Sequence, residues 1–349
     1  MRGAEFLLAL TAGLRLLADP VTCATCHEEE AQTQPATPMG RAMLIAANDP
    51  VFQKHPKLTF AHGAYAWAIE LRGSDLTYTV SDASNSISLP VRWVFGFGSQ
   101  TFVLEYKGRL YESRVTYYPE IDGLSFTVGD QAAHLQTLTD AMGRDVSGRE
   151  IQTCFECHST GAIIEDRLRP DASTPGVQCV HCHRGVERHQ EDIVRGRLDS
   201  VPPKLGRLAT EDVSNFCGQC HRSWGEVVRG HMFGKTDVRF QPYRLTNSQC
   251  YDGSDPRISC LACHDPHRDL VTDDAFYESK CLACHARTKA IFAKSKRHPA
   301  EGKPLVKPCK VGKTGCIGCH MPKTPQPGGP RILTDHWIRV VHPGDPFPE

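Results

Sequence analysis

The chain carries no excess of either charge. Its 40 Lys and Arg residues are balanced by 40 Asp and Glu, so there is no net basic field to hold a phosphate backbone, and no nucleic-acid partner is expected. Long apolar runs are scarce as well. Residues 6–14 form a short one that Arg15 closes, and nothing else approaches the ~20 apolar residues of a membrane-crossing helix. Hydrophobic residues fill only 40% of 349 positions, a thin supply for the interior of one large or two medium domains. Ser-His-Asp and phosphate-loop patterns do not occur, which leaves hydrolase and nucleotide-binding readings without support.

What the chain has in quantity is cysteine, and the cysteines are ordered. Fourteen of the sixteen fall in seven copies of Cys-x-x-Cys-His. These are Cys23-Ala-Thr-Cys26-His27, Cys154-Phe-Glu-Cys157-His158, Cys179-Val-His-Cys182-His183, Cys217-Gly-Gln-Cys220-His221, Cys260-Leu-Ala-Cys263-His264, Cys281-Leu-Ala-Cys284-His285 and Cys316-Ile-Gly-Cys319-His320. Each reads as a c-type haem attachment site: two thiols form thioethers to the porphyrin vinyl groups, and the adjacent histidine ligates the iron. Two intervening residues let one turn of chain span the vinyls, and the next side chain then points over the iron. Zinc knuckles, a redox pair and disulfides are the alternatives. Zinc ribbons need no histidine after each pair, and a thioredoxin-like motif occurs singly in a βαβ setting that is missing here. The expected cofactors are seven covalently bound haem c groups, whose porphyrins supply interior that the polypeptide lacks. The 29 Gly and 24 Pro suit a loop-rich chain around them, and folding should be coupled to ligation.

Haem propionates add about two negative charges per haem. The chain's own charge is uneven, with 10 Lys and Arg against 16 Asp and Glu over 19–150, and 28 against 23 over 151–349. The basic run through Arg287, Lys289, Lys294, Lys296, Arg297, Lys303, Lys307, Lys310 and Lys313 either pairs with propionates or is a solvated loop. Because haem c is attached outside the cytoplasm, export to the periplasm or the cell exterior is expected. Residues 1–18, with Arg2 ahead of the short apolar run and Ala18 as cleavage residue, read as a signal peptide.

Residues 19–57 form a first haem segment. Within it, 28–47 should make a short helix broken by Pro35 and Pro38, and Met39 is either a second iron ligand or a packing residue. Over 58–130 cysteine disappears, and aromatic and β-branched residues alternate with polar ones. Segments 67–71, 76–81, 87–95, 101–106 and 109–117 read as strands, punctuated by Gly73-Ser74, Pro90 and Lys107-Gly108. The last should be a tight hairpin with Gly108 at positive φ. This β-rich insert accounts for the 131 residues from Cys23 to Cys154, against 21 to 43 between later motifs. Its Trp93-Val-Phe-Gly-Phe-Gly stretch reads as sheet core, or else as a surface that docks a partner or shields a haem edge. From Thr137 a short helix should lead into the second motif. Residues 131–349 should form a six-haem domain of turns, short helices and proline-rich loops. The expected fold class is α+β and irregular: a loop- and helix-rich multihaem cytochrome with an inserted antiparallel β domain.

Ten histidines lie outside the motifs: His55, His62, His134, His181, His189, His231, His267, His298, His336 and His342. Low-spin haems take a second axial ligand, usually such a histidine. Three stretches go further. They are Gly176-Val-Gln-Cys-Val-His-Cys-His-Arg-Gly-Val-Glu-Arg-His189, Ser259-Cys-Leu-Ala-Cys-His-Asp-Pro-His267, and Cys316-Ile-Gly-Cys-His-Met-Pro-Lys323 followed by Thr334-Asp-His-Trp-Ile-Arg339. Through them the C-terminal two-thirds resembles the periplasmic multihaem cytochromes with doubled Cys-x-x-Cys-His motifs, relatives of the tetrahaem carriers of ammonia oxidisers. The resemblance implies that His189, His267 and His336 are distal ligands to neighbouring haems, and that His298 is the histidine these proteins place between their last two motifs. His231 and His134 are further candidates, while Met39, His55 and His62 compete for the remaining haem. His181 and His342 suit surface or packing roles. The chain departs from the family in lacking tetratricopeptide repeats up to Glu349, and in having Thr37-Pro-Met39 where relatives have Ser-x-His. Cys250 and Cys309 either pair as a disulfide or stay as two thiols.

Two functions compete. The first is an electron carrier between redox partner proteins, such as a membrane-associated quinol oxidase or a terminal reductase. The second is a multihaem reductase of a small nitrogen or sulfur oxyanion at a haem with an open sixth position. No motif has lysine in place of histidine, the variant familiar in nitrite-reducing relatives, and the surplus of histidines also favours the carrier. A subunit of an extracellular filament, built by haem-to-haem self-association, is a third reading.

Overall fold

A computed structural model describes residues 22–46, 49–130, 134–199, 201–202, 204–253, 257–286, 309, 312 and 314–348. The expected signal peptide, the basic run and His298 lie outside these residues. After the first motif come α1 (Glu28–Thr33) and a 3-10 turn (Gln34–Ala36) that carries Pro35 at its start, where proline is tolerated. β1 (Met43–Ile45) and α2 (Pro50–Lys54) follow, the latter capped by Asp49, whose carboxylate accepts the Val51 N–H at 2.9 Å.

The next strands are β2 (Lys57–His62), β3 (Tyr65–Arg72), β4 (Asp75–Ser81), β5 (Ser86–Phe95), β6 (Gln100–Tyr106), β7 (Arg109–Tyr118) and β8 (Gly123–Phe126). They pair in chain order as an antiparallel meander, with β1 added to β5 and β9 (Gly143–Asp145) added to β7. Phe60 of β2 packs edge-on to Phe126 of β8 with ring centroids 5.2 Å apart, so the sheet curls until its end strands meet, close to a barrel. Alternation explains the interior: Trp67, Ile69, Leu76, Tyr78, Val80, Phe102 and Leu104 point inward and are buried. α3 (Leu138–Met142), begun by a Thr137–Asp140 capping box, closes one end of this core. Trp67 Nε1 donates to the Ala141 carbonyl and Tyr78 Oη to that of Met142, both at 2.8 Å.

Five strands read from sequence are present within two residues of their expected ends. The hairpin at Lys107-Gly108 has both residues at positive φ, 50° and 74°. Pro90 does not break a strand, however; it lies inside β5. Residues up to Pro90 pair with β4 and those from Val91 onward with β6, so the missing N–H falls where the strand changes partners. β1, β2, β8 and β9 escaped sequence reading because they are short or bury a single side chain, as β2 buries only Leu58.

The remaining helices are α4 (Arg149–His158), α5 (Cys179–Cys182), α6 (Val186–Val194), α7 (Thr210–His221), α8 (Trp224–Arg229), α9 (Gln241–Thr246), α10 (Cys260–Cys263), α11 (Asp274–His285) and α12 (Cys316–His320). Loops and three two-stranded ladders join them. Outside the sheet the apolar clusters are small, such as Val227, Phe240 and Tyr243. The architecture is therefore α+β with an irregular, loop-rich second part. No described helix is long and apolar enough to cross a membrane. Trp67→Ala should cost about 3–5 kcal/mol by opening a cavity in the sheet core, measured by urea titration with circular dichroism; a loss below about 0.5 kcal/mol, typical of a surface site, would contradict this account.

Candidate functional site

Each Cys-x-x-Cys-His motif sits on a single turn of helix. The histidine N–H donates to the carbonyl of the first cysteine, at 2.8 Å for His27 on Cys23, 2.9 Å for His183 on Cys179 and 2.8 Å for His264 on Cys260. Positions i, i+3 and i+4 of a helical turn share one side, so the three donor side chains emerge together. α4, α7 and α11 end in motifs, α5 and α10 are little more than motifs, and α12 is one.

All seven motifs contribute to the wall of one cavity of about 3490 Å³. A pocket for a single ligand measures roughly 300–1,000 Å³, so this one has room for several large groups. Motifs distant in sequence meet at this wall. The Cys157 and Cys220 thiols lie close together, as do Cys217 and Cys260, and Cys23 and Cys179. The fourth motif thus touches the second and the fifth, and the first touches the third. The neighbouring thiol, and then burial, pushes Cys217 and Cys220 well above the usual thiol range, and burial pushes Cys154 and Cys281 up to about 11.

Several of the imidazoles are pushed toward the neutral form by burial. Burial is the main cause that lowers His158, His183, His221 and His264 from the ordinary value, and it takes His336 down to about 4. His336 keeps some exposed area only because it borders the cavity. His158 Nδ1 lies 2.8 Å from the Ala42 carbonyl, His320 Nδ1 3.0 Å from that of Arg339 and His336 Nδ1 3.0 Å from that of Thr334. A carbonyl only accepts, so Nδ1 carries the proton and Nε2 presents its lone pair, the form that ligates a metal.

Two of the sequence candidates lie close to motif histidines. The His267 ring is 5.9 Å from that of His183 with 12° between their planes, and the His336 ring is 6.3 Å from that of His264. Two imidazoles bonded to one metal atom from opposite sides, with bonds of about 2.0–2.1 Å, have centroids about 6 Å apart. His189, on α6, and Met39 also line the cavity, and the Met39 carbonyl accepts the Val177 N–H at 3.0 Å, tying its segment to the third motif. Gly176 makes that approach close: it has φ 75°, and a Cβ there would lie 1.8 Å from the Gly40 carbonyl oxygen.

Other candidates are not brought to the cavity. His134 is exposed ahead of α3. His231 is exposed in a turn at φ 50°, with its ring against Phe233. His55 lies 2.9 Å from Asp122 and His62 packs on Phe126, both in the sheet unit. Conversely, His181 and His342 line the cavity, where surface or packing roles were expected. His342 follows a segment whose Val341 N–H donates to Cys319, a pairing with no local sequence signal. Cys250 and Cys309 are both exposed. Trp93 and Phe95 pack edge-on to Phe155 of α4, and Phe95 also meets His158, so this stretch covers the second motif rather than serving the sheet core alone.

The residues present fit porphyrins. Paired thiols and imidazoles share the wall of a largely apolar cavity, and Arg331, at that wall, has a buried Nε with no partner among the described residues, a donor of the kind a propionate takes. Among the described residues no three His, Cys, Asp or Glu side chains converge as they would around a bare metal ion.

A family model described as cytochrome c554 and c-prime matches residues 127–184, which contain the second and third motifs. This supports a multihaem c-type cytochrome with covalently bound haem. No curated protein and no solved structure matches the chain.

The depressed imidazoles make stability depend on pH. An unfolded chain protonates an imidazole near 6.5, whereas burial holds His336 neutral down to about 4, so its contribution is intact above 6.5 and is lost as pH falls toward 4; burial lowers His158 in the same direction. Urea midpoints measured from neutral pH downward should therefore fall; a flat profile would contradict the burial argument.

Proposed function

We propose that the chain is a heptahaem c-type cytochrome that passes single electrons between redox partner proteins outside the cytoplasm. The observation that supports this reading is the common wall: seven motifs border one cavity, and the rings of His267 and His336 lie 5.9 and 6.3 Å from those of His183 and His264. Haem supplies one-electron chemistry, and the chain's task is to hold each group, exclude water and set its potential through ligand and burial. The thiols would anchor the porphyrin and the motif histidine would ligate the iron, with His267 and His336 as the candidate second ligands at the third and fifth motifs and His189 and Met39 as further donors along the wall. At the third and fifth motifs a histidine on each side would leave no position for an oxyanion, which favours a carrier over a reductase at those two haems.

The reduced absorption spectrum, recorded with and without carbon monoxide, tests this. A low-spin spectrum that the gas leaves unchanged is expected. Binding at one haem equivalent in the wild type would overturn the pure carrier and support a reductase at an open haem. His267→Ala should create a carbon monoxide site at one haem equivalent without loss of bound haem.

A further inference from the structure

We infer that Arg244 is a positioning residue that fixes the loop bearing His336 and thereby holds that imidazole opposite His264; this rests on the reading of His336 as an iron ligand given above. Arg244 lies on α9 and, with Asp237 and Asp335, is 0% exposed. Its guanidinium grips Asp335 through two parallel bonds, Nε to Oδ1 at 2.9 Å and Nη2 to Oδ2 at 2.8 Å. Nη1 donates to Asp237 Oδ1 at 3.1 Å and to the Pro348 carbonyl at 3.0 Å. Trp337 and Phe347 cover the group, their ring centroids 4.8 and 4.4 Å from its central carbon.

Two of the residues that meet the guanidinium, Asp335 and Trp337, flank His336. Asp335 also accepts the Trp337 N–H at 3.0 Å and Arg339 Nη1 at 2.6 Å, which closes the loop on itself. Ser248, just beyond α9, adds a second tie: its hydroxyl accepts the Ile338 N–H at 2.8 Å and lies 3.3 Å from the His336 carbonyl, to which it donates. Within that frame His336 Nδ1 is spent on the Thr334 carbonyl, and the ring keeps its place 6.3 Å from His264. Only a planar fork of five donors makes all these bonds at once, and lysine has no equivalent. Removing it takes two donors from the buried carboxylate directly beside the ligand and leaves it to Arg339 and the Trp337 N–H, so the loop has to move to make up the lost bonds. α9 also carries Gln241, which lies against His221 of the fourth motif, so one short helix bears on two neighbouring motifs.

The test compares the haem-loaded, full-length wild type with Arg244→Gln, Arg339→Gln and His336→Ala, using reduced spectra with and without carbon monoxide. His336→Ala should gain one carbon monoxide site. Arg244→Gln should gain the same site, with the population lacking the His336 bond rising roughly tenfold over wild type, and added imidazole should reverse the change while circular dichroism stays as in wild type. A merely structural residue would lower the melting temperature without opening one particular haem. If His336→Ala gains no site, the ligand reading itself fails. If it gains one and Arg244→Gln does not, the positioning role is overturned. Should Arg244→Gln not accumulate with haem, Arg339→Gln decides, since it removes one guanidinium from Asp335 and keeps the buried pair: carbon monoxide binding above wild type supports the inference, and binding equal to wild type overturns it.

Discussion

One turn of helix closed by the histidine N–H on the carbonyl of the first cysteine is the unit on which the rest depends. It places two thiols and an imidazole on one side at every motif where the bond is seen, and it does so with four or five residues and almost no local core. Such units cannot stabilise one another by burying apolar side chains, because they have few. They gather instead around a shared interior of about 3490 Å³, and in the proposed reading seven porphyrins contribute the apolar surface that the chain lacks. Neutral histidines at the wall are the electrostatic counterpart: a charged imidazole there would be costly, and a neutral one with Nδ1 committed to a carbonyl is ready to ligate.

The sheet is the one part of the described chain with an ordinary core, and it serves as a buttress. Its long strand β5 turns Trp93 and Phe95 outward onto α4, so the second motif is packed by aromatic rings on the side of Phe155. The segment leading into the sheet does related work. Residues 39–42 offer one carbonyl to Val177, ahead of the third motif, and another to His158 in the second. The insertion that separates the first two motifs in sequence thereby returns to support motifs that follow it.

What the sequence disclosed, and what it hid, follows from how far each constraint reaches along the chain. Cys-x-x-Cys-His is a local requirement, so all seven units are legible. The central strands are legible because each buries alternate residues on one side, while β2, with Leu58 alone buried, gives no such signal. His267 and His336 stood out through the short tails that carry them. His231 did not lend itself to such reading, since position in the chain says nothing about which way a turn faces. Arg244 is 91 residues from Asp335, and a pairing over that distance leaves no pattern in either segment. His181 reaches the wall from inside the third motif, and His342 through tertiary folding alone.

The central claim is that every motif is covalently loaded, and the intact mass of the purified protein tests it most directly. The account predicts a single species heavier than the mature polypeptide by seven haem groups, resistant to denaturation because the thioethers are covalent. A mass carrying fewer haems, or one carrying zinc that is lost on unfolding, would contradict it.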